Sequence, residues 1–158
     1  MKNIHIILLL AGFALVSCSK PEPGAAELEI LSKKLFDTMK TGDESKFQLL
    51  IPDEPAYTLY TELVKKDSAT AVNGIKIFDK ELINEFNTFR SSLQDISGAT
   101  HTNFNQELVK TANTSRAIVT TKFTLDGKVT KYRFDAIKLR GRWFCLGNFE
   151  LLKPDNPS

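Results

Sequence analysis

Two hydrophobic periods divide this chain. Up to about residue 98 the apolar residues recur every three or four positions, and from residue 103 onward they alternate every second position. The first period predicts helices and the second predicts strands. Leu28, Leu31, Leu35 and Met39 keep helical spacing, with Phe36 beside them. Gly42 ends that helix and Asp43 caps the next. The next helix is short, carries Phe47, Leu50 and Ile51, and is broken by Pro52. Asp53 caps a third helix in which Tyr57, Tyr60 and Val64 line one face. Lys65 and Lys66 lie in its last turn, where cations suit the helix dipole. Asp67 to Gly74 reads as a polar connection that closes with an Asn73-Gly74 turn.

The longest periodic segment follows. Ile75, Phe78, Leu82, Phe86, Phe89, Leu93 and Ile96 are spaced 3, 4, 4, 3, 4 and 3 apart, and Gly98 stands past the end. One continuous apolar stripe of this kind belongs either to a core helix lying on a sheet or to a partner-binding helix. The chain has a sheet to cover, so a core helix is expected.

From Asn103 the alternation begins. Phe104 to Thr111 reads as a first strand and Asn113 as its turn. Ser115 to Leu125 is a second strand, with Ala117, Val119, Thr121, Phe123 and Leu125 on one face. Asp126-Gly127 is a two-residue hairpin signal, because both residues tolerate positive φ. Lys128 to Leu139 is the third strand, with Thr130, Tyr132, Phe134 and Ala136 on one face. Ile137 and Leu139 then change parity, which predicts a bulge or bend near Ala136. After Arg140-Gly141, Arg142 to Leu152 is the last strand, with Trp143, Cys145 and Phe149 sharing a face. The fold class expected is α+β: N-terminal helices packed on a curved antiparallel sheet of about four strands, a cone-shaped roll.

The N-terminus follows another logic. Lys2 and His5 give a short, mildly positive start, and Ile4 to Val16 is almost wholly apolar. That run has the length of a signal-peptide core and falls short of the roughly 20 residues that span a bilayer. Leu15-Val16-Ser17-Cys18 resembles the lipobox of bacterial lipoproteins. The resemblance implies a signal peptide over residues 1–17, recognised through Leu15, Val16 and Ser17. It also implies a diacylglycerol on the Cys18 sulfur and a further acyl chain, such as palmitate, on its amine. One acyl chain holds a protein marginally and two or more hold it stably. The protein would then be a membrane-anchored lipoprotein of the bacterial cell envelope. Ser19 beside the cysteine is compatible, by resemblance, with the outer membrane and a domain facing the periplasm. Ser19, Lys20, Pro21, Glu22, Pro23 and Gly24 suit neither helix nor strand, so residues 18–26 read as lipidated cysteine and tether. Residues 27–152 read as one domain and residues 153–158 as a tail.

About 140 residues remain after cleavage, enough to bury roughly two thirds of the unfolded surface. The charge is unevenly spread: Ser19 to Val109 carries 10 basic and 15 acidic residues, and Lys110 to Arg142 carries 9 basic and 2 acidic. A basic sheet can mark an anionic partner, or simply fill a solvent face with cations that discourage edge pairing. Lys122, Lys131 and Arg133 are the candidate interaction face. With Cys18 lipidated, Cys145 has no partner for an internal disulfide, and its apolar neighbours suit a buried small hydrophobe. His101 is the one histidine beyond the leader, which excludes two-histidine metal motifs by count. Nothing in the chain points to a cofactor or metal. A nucleic-acid role is not expected, because the basic region lacks a recognition motif and the anchor puts the domain outside the cytoplasm. Asp67-Ser68-Ala69 and Asp37-Thr38-Met39 resemble O-glycosylation triplets, and the first falls in a predicted loop.

Two stretches resemble the nuclear-transport-factor-2-like superfamily. Leu35-Phe36-Asp37-Thr38-Met39-Lys40-Thr41-Gly42-Asp43 is similar to the helix and Gly-Asp entry of those domains. Leu139-Arg140-Gly141-Arg142-Trp143-Phe144 resembles their closing hairpin with its inward tryptophan. A cystatin-like long helix wrapped by a sheet is the alternative architecture. The superfamily implies a cone whose mouth binds small apolar molecules or partners, or performs acid–base chemistry. Tyr57, Tyr60, Tyr132 and Trp143 are candidate pocket residues and equally plain core residues. Asp135 and His101 are the conceivable acid–base pair, although alternation turns Asp135 to solvent with Lys131 and Arg133. The expected role is a non-enzymatic binding module for a small apolar ligand or an envelope protein. The alternatives are an accessory or inhibitory protein using its basic sheet, and a small isomerase, dehydratase or hydrolase.

Overall fold

The structure, a computed structural model, describes residues 21–63, 71–110 and 114–153. Leu15, Val16, Ser17, Cys18, Val64, Lys65, Lys66, the connection up to residue 70, Asn113 and residues 154–158 lie outside that description. Four helices precede four strands: α1 (Leu28–Thr41), α2 (Glu44–Gln48), α3 (Glu54–Leu63), α4 (Ala71–Ser92), β1 (Thr100–Lys110), β2 (Ser115–Leu125), β3 (Lys128–Leu139) and β4 (Arg142–Leu152). The strands form one antiparallel meander in the order β1-β2-β3-β4. The expected α+β class is thus observed.

Local chemistry explains the helix ends. Gly42 takes the left-handed conformation at φ 67° and donates its N–H to the Thr38 carbonyl at 2.8 Å. Asp43 Oδ1 accepts from the Ser45 and Lys46 N–H groups at 3.1 and 3.2 Å, which starts α2. Asp53 Oδ1 accepts from the Ala56 N–H at 3.1 Å and starts α3. α1 lies across β1, β2 and β4, and α4 lies along β4. Between helices and sheet sit Phe36, Phe47, Phe86, Phe123, Tyr132 and Phe134, all buried. Phe47 and Phe86 stack with centroids 4.2 Å apart.

Four expectations need correction. Asn73-Gly74 is no turn: both residues lie in α4, which begins at Ala71 and ends at Ser92. A Cβ on Gly74 would stand 2.8 Å from the Tyr57 hydroxyl, so the glycine serves a close approach of α4 to α3. Leu93 and Ile96 follow the helix and still pack on the core. Second, β1 starts at Thr100, with an irregularity between His101 and Asn103 that interrupts the alternation. Third, the irregularity expected near Ala136 is present but belongs to the pairing with β4, where the register shifts between Arg133 and Asp135 and between Asp135 and Ala136, while the register of β3 with β2 runs unbroken from Ser115↔Lys138 to Leu125↔Lys128. Ile137 and Leu139 are buried on the opposite face because α3 covers it there: they join Ala56 and Phe144 in a second small core, with Leu59 and Leu63 packed against it. The extra residues sit in β4 around Gly147 (φ 82°) and Asn148 (φ 56°).

Fourth, residues 22–25, read as tether, are docked. Ala25 is buried and pairs with Trp143 through N–H···O bonds of 2.9 and 2.7 Å. Gly24 donates to the Leu49 carbonyl at 2.6 Å. The Arg142 guanidinium donates to the Glu22 carboxylate at 2.6 Å and to the Pro23 and Gly24 carbonyls at 2.6 and 3.1 Å. The folded unit therefore begins near Glu22, because Ala25 and Glu22 close the outer edge of β4.

Candidate functional site

The four candidate pocket residues do not converge. Tyr57 and Tyr60 pack with Phe78 between α3 and α4, with ring centroids 5.0 to 6.2 Å apart. Tyr132 stands in the middle of β3 among Phe89, Phe123 and Phe134. Trp143 opens β4 at the far end, with the Lys138 ammonium 5.8 Å from its ring centre. Position along the strand separates Tyr132 from Trp143, although alternation turns both inward. Asp79, not singled out by the sequence, buries Oδ1 without a hydrogen-bond partner, and burial raises its carboxyl above the ordinary 3.8.

The acid–base candidates are also apart. His101 faces the helices from β1, with its ring 5.7 Å from Phe36 and Nε2 3.2 Å from the Ser32 hydroxyl. Burial pushes its pKa below 6.5; Asp37 pulls the other way and Lys33 reinforces the shift. Asp135 lies on the other face of the sheet, half-buried, where Asn148 donates to its Oδ2 at 2.8 Å. The bend at Gly147 and Asn148 lays a polar depression of about 560 Å³ around Glu85, Arg133, Asp135 and Glu150.

Ser32 is a polar residue that sequence reasoning left unremarked, and alternation sets Thr121 on a strand face without assigning it a partner. Both are fully buried, with their hydroxyls 2.7 Å apart. The signal was present: each stands at a core position in its own period, where a hydroxyl requires a partner. Beside them the Tyr132 hydroxyl is buried without a partner. Burial raises that phenol far above 10, and the nearby Thr121 hydroxyl opposes the shift without reaching hydrogen-bond geometry. Ser32 has no exposed surface, so the Ser32–His101 pair offers no nucleophile to a substrate. Cys145 is equally enclosed, and desolvation pushes its thiol up to about 12, which keeps it protonated and inert.

Lys122, Lys131 and Arg133, the candidate interaction residues, lie on one face of the sheet, the two lysines half-buried and Arg133 exposed. Lys122 and Lys131 stand opposite each other on β2 and β3, on the side away from α1 and α4. Arg133 faces Glu150 and donates to its Oε2 at 2.8 Å, so its charge is partnered.

A cleft of about 330 Å³ opens between the end of α4 and the hairpin end of the sheet. Leu93, Ile96, Phe123, Leu125 and Leu151 form its walls, and Gln94 and Thr130 supply polar groups. Its volume lies at the lower end of small-molecule pockets, about 300–1,000 Å³. The lining carries no titratable side chain, so it offers shape and apolar surface. The stripe that predicted α4 also supplied Leu93 and Ile96, but their departure from the helix is what opens the cleft. Among the described residues no helix is long and apolar enough to cross a membrane, and no three His, Cys, Asp or Glu are grouped to hold a metal ion. No protein-family model matches the chain, and neither the curated proteins nor the solved structures provide a match.

Proposed function

We propose that this chain is a lipoprotein of the bacterial cell envelope, anchored through Cys18, that binds a small apolar or amphipathic molecule without chemical conversion. The outer membrane, with the domain facing the periplasm, is the compartment proposed. The nuclear-transport-factor-2-like resemblance supports a ligand at the open end of the roll. The single observation that carries the reading is the cleft beyond α4, because it joins apolar walls to a few polar groups at one end of the sheet. Leu151 is 46% exposed at its rim, so a substitution there leaves the core intact. Titration with a medium-chain fatty acid, followed by calorimetry and native mass spectrometry, tests the proposal. Binding is expected, and Leu151→Glu should weaken it at least tenfold while Lys122→Glu leaves it unchanged. Absence of binding, or equal binding by Leu151→Glu, rejects the cleft as a site for such ligands.

A second reading has its own observation. The Lys122–Lys131 pair is a cationic spot on the face that α1 and α4 leave uncovered. An acidic protein surface would complement its charge. The double reversal Lys122→Glu/Lys131→Glu should then abolish capture of an acidic envelope protein, and unchanged capture rejects this reading.

A further inference from the structure

We infer that the outward side of α1, together with the groove between α1 and α2, is the membrane-facing surface of the domain, and that its occupant is the lipid surface holding Cys18. The inference rests on the anchoring reading above. The first support is where the chain leaves the domain. Glu22, Pro23 and Gly24 are held by Arg142, and Ala25 by Trp143, so none of them serves as slack. Pro21 then lies in a groove lined by Lys34, Asp37 and Thr38 of α1 and Lys46 and Leu49 beside it. That groove belongs to the helix side of the sheet, because α1 covers the inner face. Three residue steps separate Pro21 from Cys18, about 11 Å at full extension. A domain on so short a lead cannot present either face at will.

The second support is the chemistry within that reach. Ile30, 41% exposed, shares the solvent side of α1 with exposed Lys33 and Lys34, and Lys46 stands across the groove. An apolar side chain among ammonium groups suits a phosphate-bearing lipid surface: aliphatic stems enter the headgroup layer and the cations meet phosphates. Glu22, Glu29, Asp37 and Asp43 share this side and Asp43 pairs with Lys46 at 3.4 Å, so the tether supplies the hold, and Lys33 and Lys34 are the cations that meet phosphates. The sheet face with Lys122, Lys131 and Arg133 then points away from the membrane, toward the aqueous compartment.

The test uses the full chain, made with its leader in a bacterium and reconstituted in phosphatidylethanolamine–phosphatidylglycerol vesicles. Intact mass checks the lipid on Cys18. A fluorophore is attached at Lys34→Cys or at Glu107→Cys, an exposed position on the outer sheet face. Cys145 is fully buried and stays unlabelled in the folded domain. With a quencher fixed to lipid headgroups, quenching at position 34 should exceed that at position 107 several-fold. Arg142→Ala, which releases Glu22 and Pro23, should narrow the difference. Equal quenching, or stronger quenching at position 107, on a lipidated chain overturns the orientation alone. A chain recovered from membranes without lipid mass overturns the anchoring reading and the orientation with it.

Discussion

The Ser32 hydroxyl stands 2.7 Å from the Thr121 hydroxyl, tying the middle of α1 to the middle of β2 through two fully buried oxygens. Ser32 also has His101 Nε2 at 3.2 Å, whereas the Thr121 hydroxyl depends on Ser32. Ser32→Ala removes one and strands the other, an expected loss of about 1–3 kcal/mol in urea unfolding. Ser32→Ala/Thr121→Val removes both and should recover part of that loss. A double-mutant cycle checks it, and strictly additive losses would mean that the two hydroxyls do not support each other.

Tyr132 is the contrary case. Its ring fills the core, but its hydroxyl is buried without a partner. Tyr132→Phe keeps the ring and deletes a group desolvated for nothing. The expected result is a melting temperature equal to or above that of the parent. A loss of more than about 1 kcal/mol would show that the hydroxyl is bonded in solution.

His101 gives the domain a pH dependence of definite sign. Burial lowers its pKa in the folded state below 6.5. Between the lowered value and 6.5 the unfolded chain binds the proton more readily than the folded one. The stability that His101 contributes is therefore present above 6.5 and is lost as pH falls through the folded value. Charged groups on α1 bear on the same ring: Asp37 and Glu29 favour the proton and Lys33 opposes it. Urea midpoints at pH 5 and pH 7.5 should differ more in the parent than in His101→Gln. Equal differences in the two proteins would locate the titration elsewhere.

The sheet was the most legible part of the chain, and the reason is local. β2 alternates without interruption and β3 does so as far as Ala136, and Asp126-Gly127 adopts φ 49° and 76°, as a tight hairpin requires. Ile137 and Leu139 misled because alternation assigns one face to the core and the other to solvent. That assignment fails where α3, far away in sequence, folds over the outer face. The docking of Glu22 to Ala25 was hidden for a similar reason. Prolines and a glycine exclude helix and strand interior, but only the fold reveals the Arg142 side chain that holds them. Of the candidate site, Leu93, Ile96 and Phe123 were legible as core residues and the cleft between them was not, since an opening depends on where the helix stops.

Gly74 carries the same lesson into an experiment. A helical glycine is normally improved by alanine, by about 1 kcal/mol. Here the added methyl would lie 2.8 Å from the Tyr57 hydroxyl, so the helix gain is offset by a clash. Gly74→Ala should be neutral or destabilising in the parent and stabilising in Tyr57→Phe, which removes the obstructing oxygen. Thermal unfolding of the four proteins in this cycle decides it. The same gain in both backgrounds would mean that α3 and α4 do not approach closely at this point.

Cys145 closes the set through its enclosure. Its thiol is fully buried beside the β4 bend and pushed up to about 12 from 9.0 by desolvation. At neutral pH this leaves about a thousandfold less thiolate than an exposed cysteine would have, and the sulfur has no access to reagent. With Cys18 lipidated, or replaced in a soluble Cys18→Ser chain, an aromatic disulfide reagent should react only through opening of the domain. The rate should then rise with urea in step with the unfolded fraction. Rapid stoichiometric labelling in the absence of denaturant would show that β4 leaves the core readily. The Trp143–Ala25 pairing and the Cys145–Leu50 hydrogen bond at its outer edge would then be too weak to hold it.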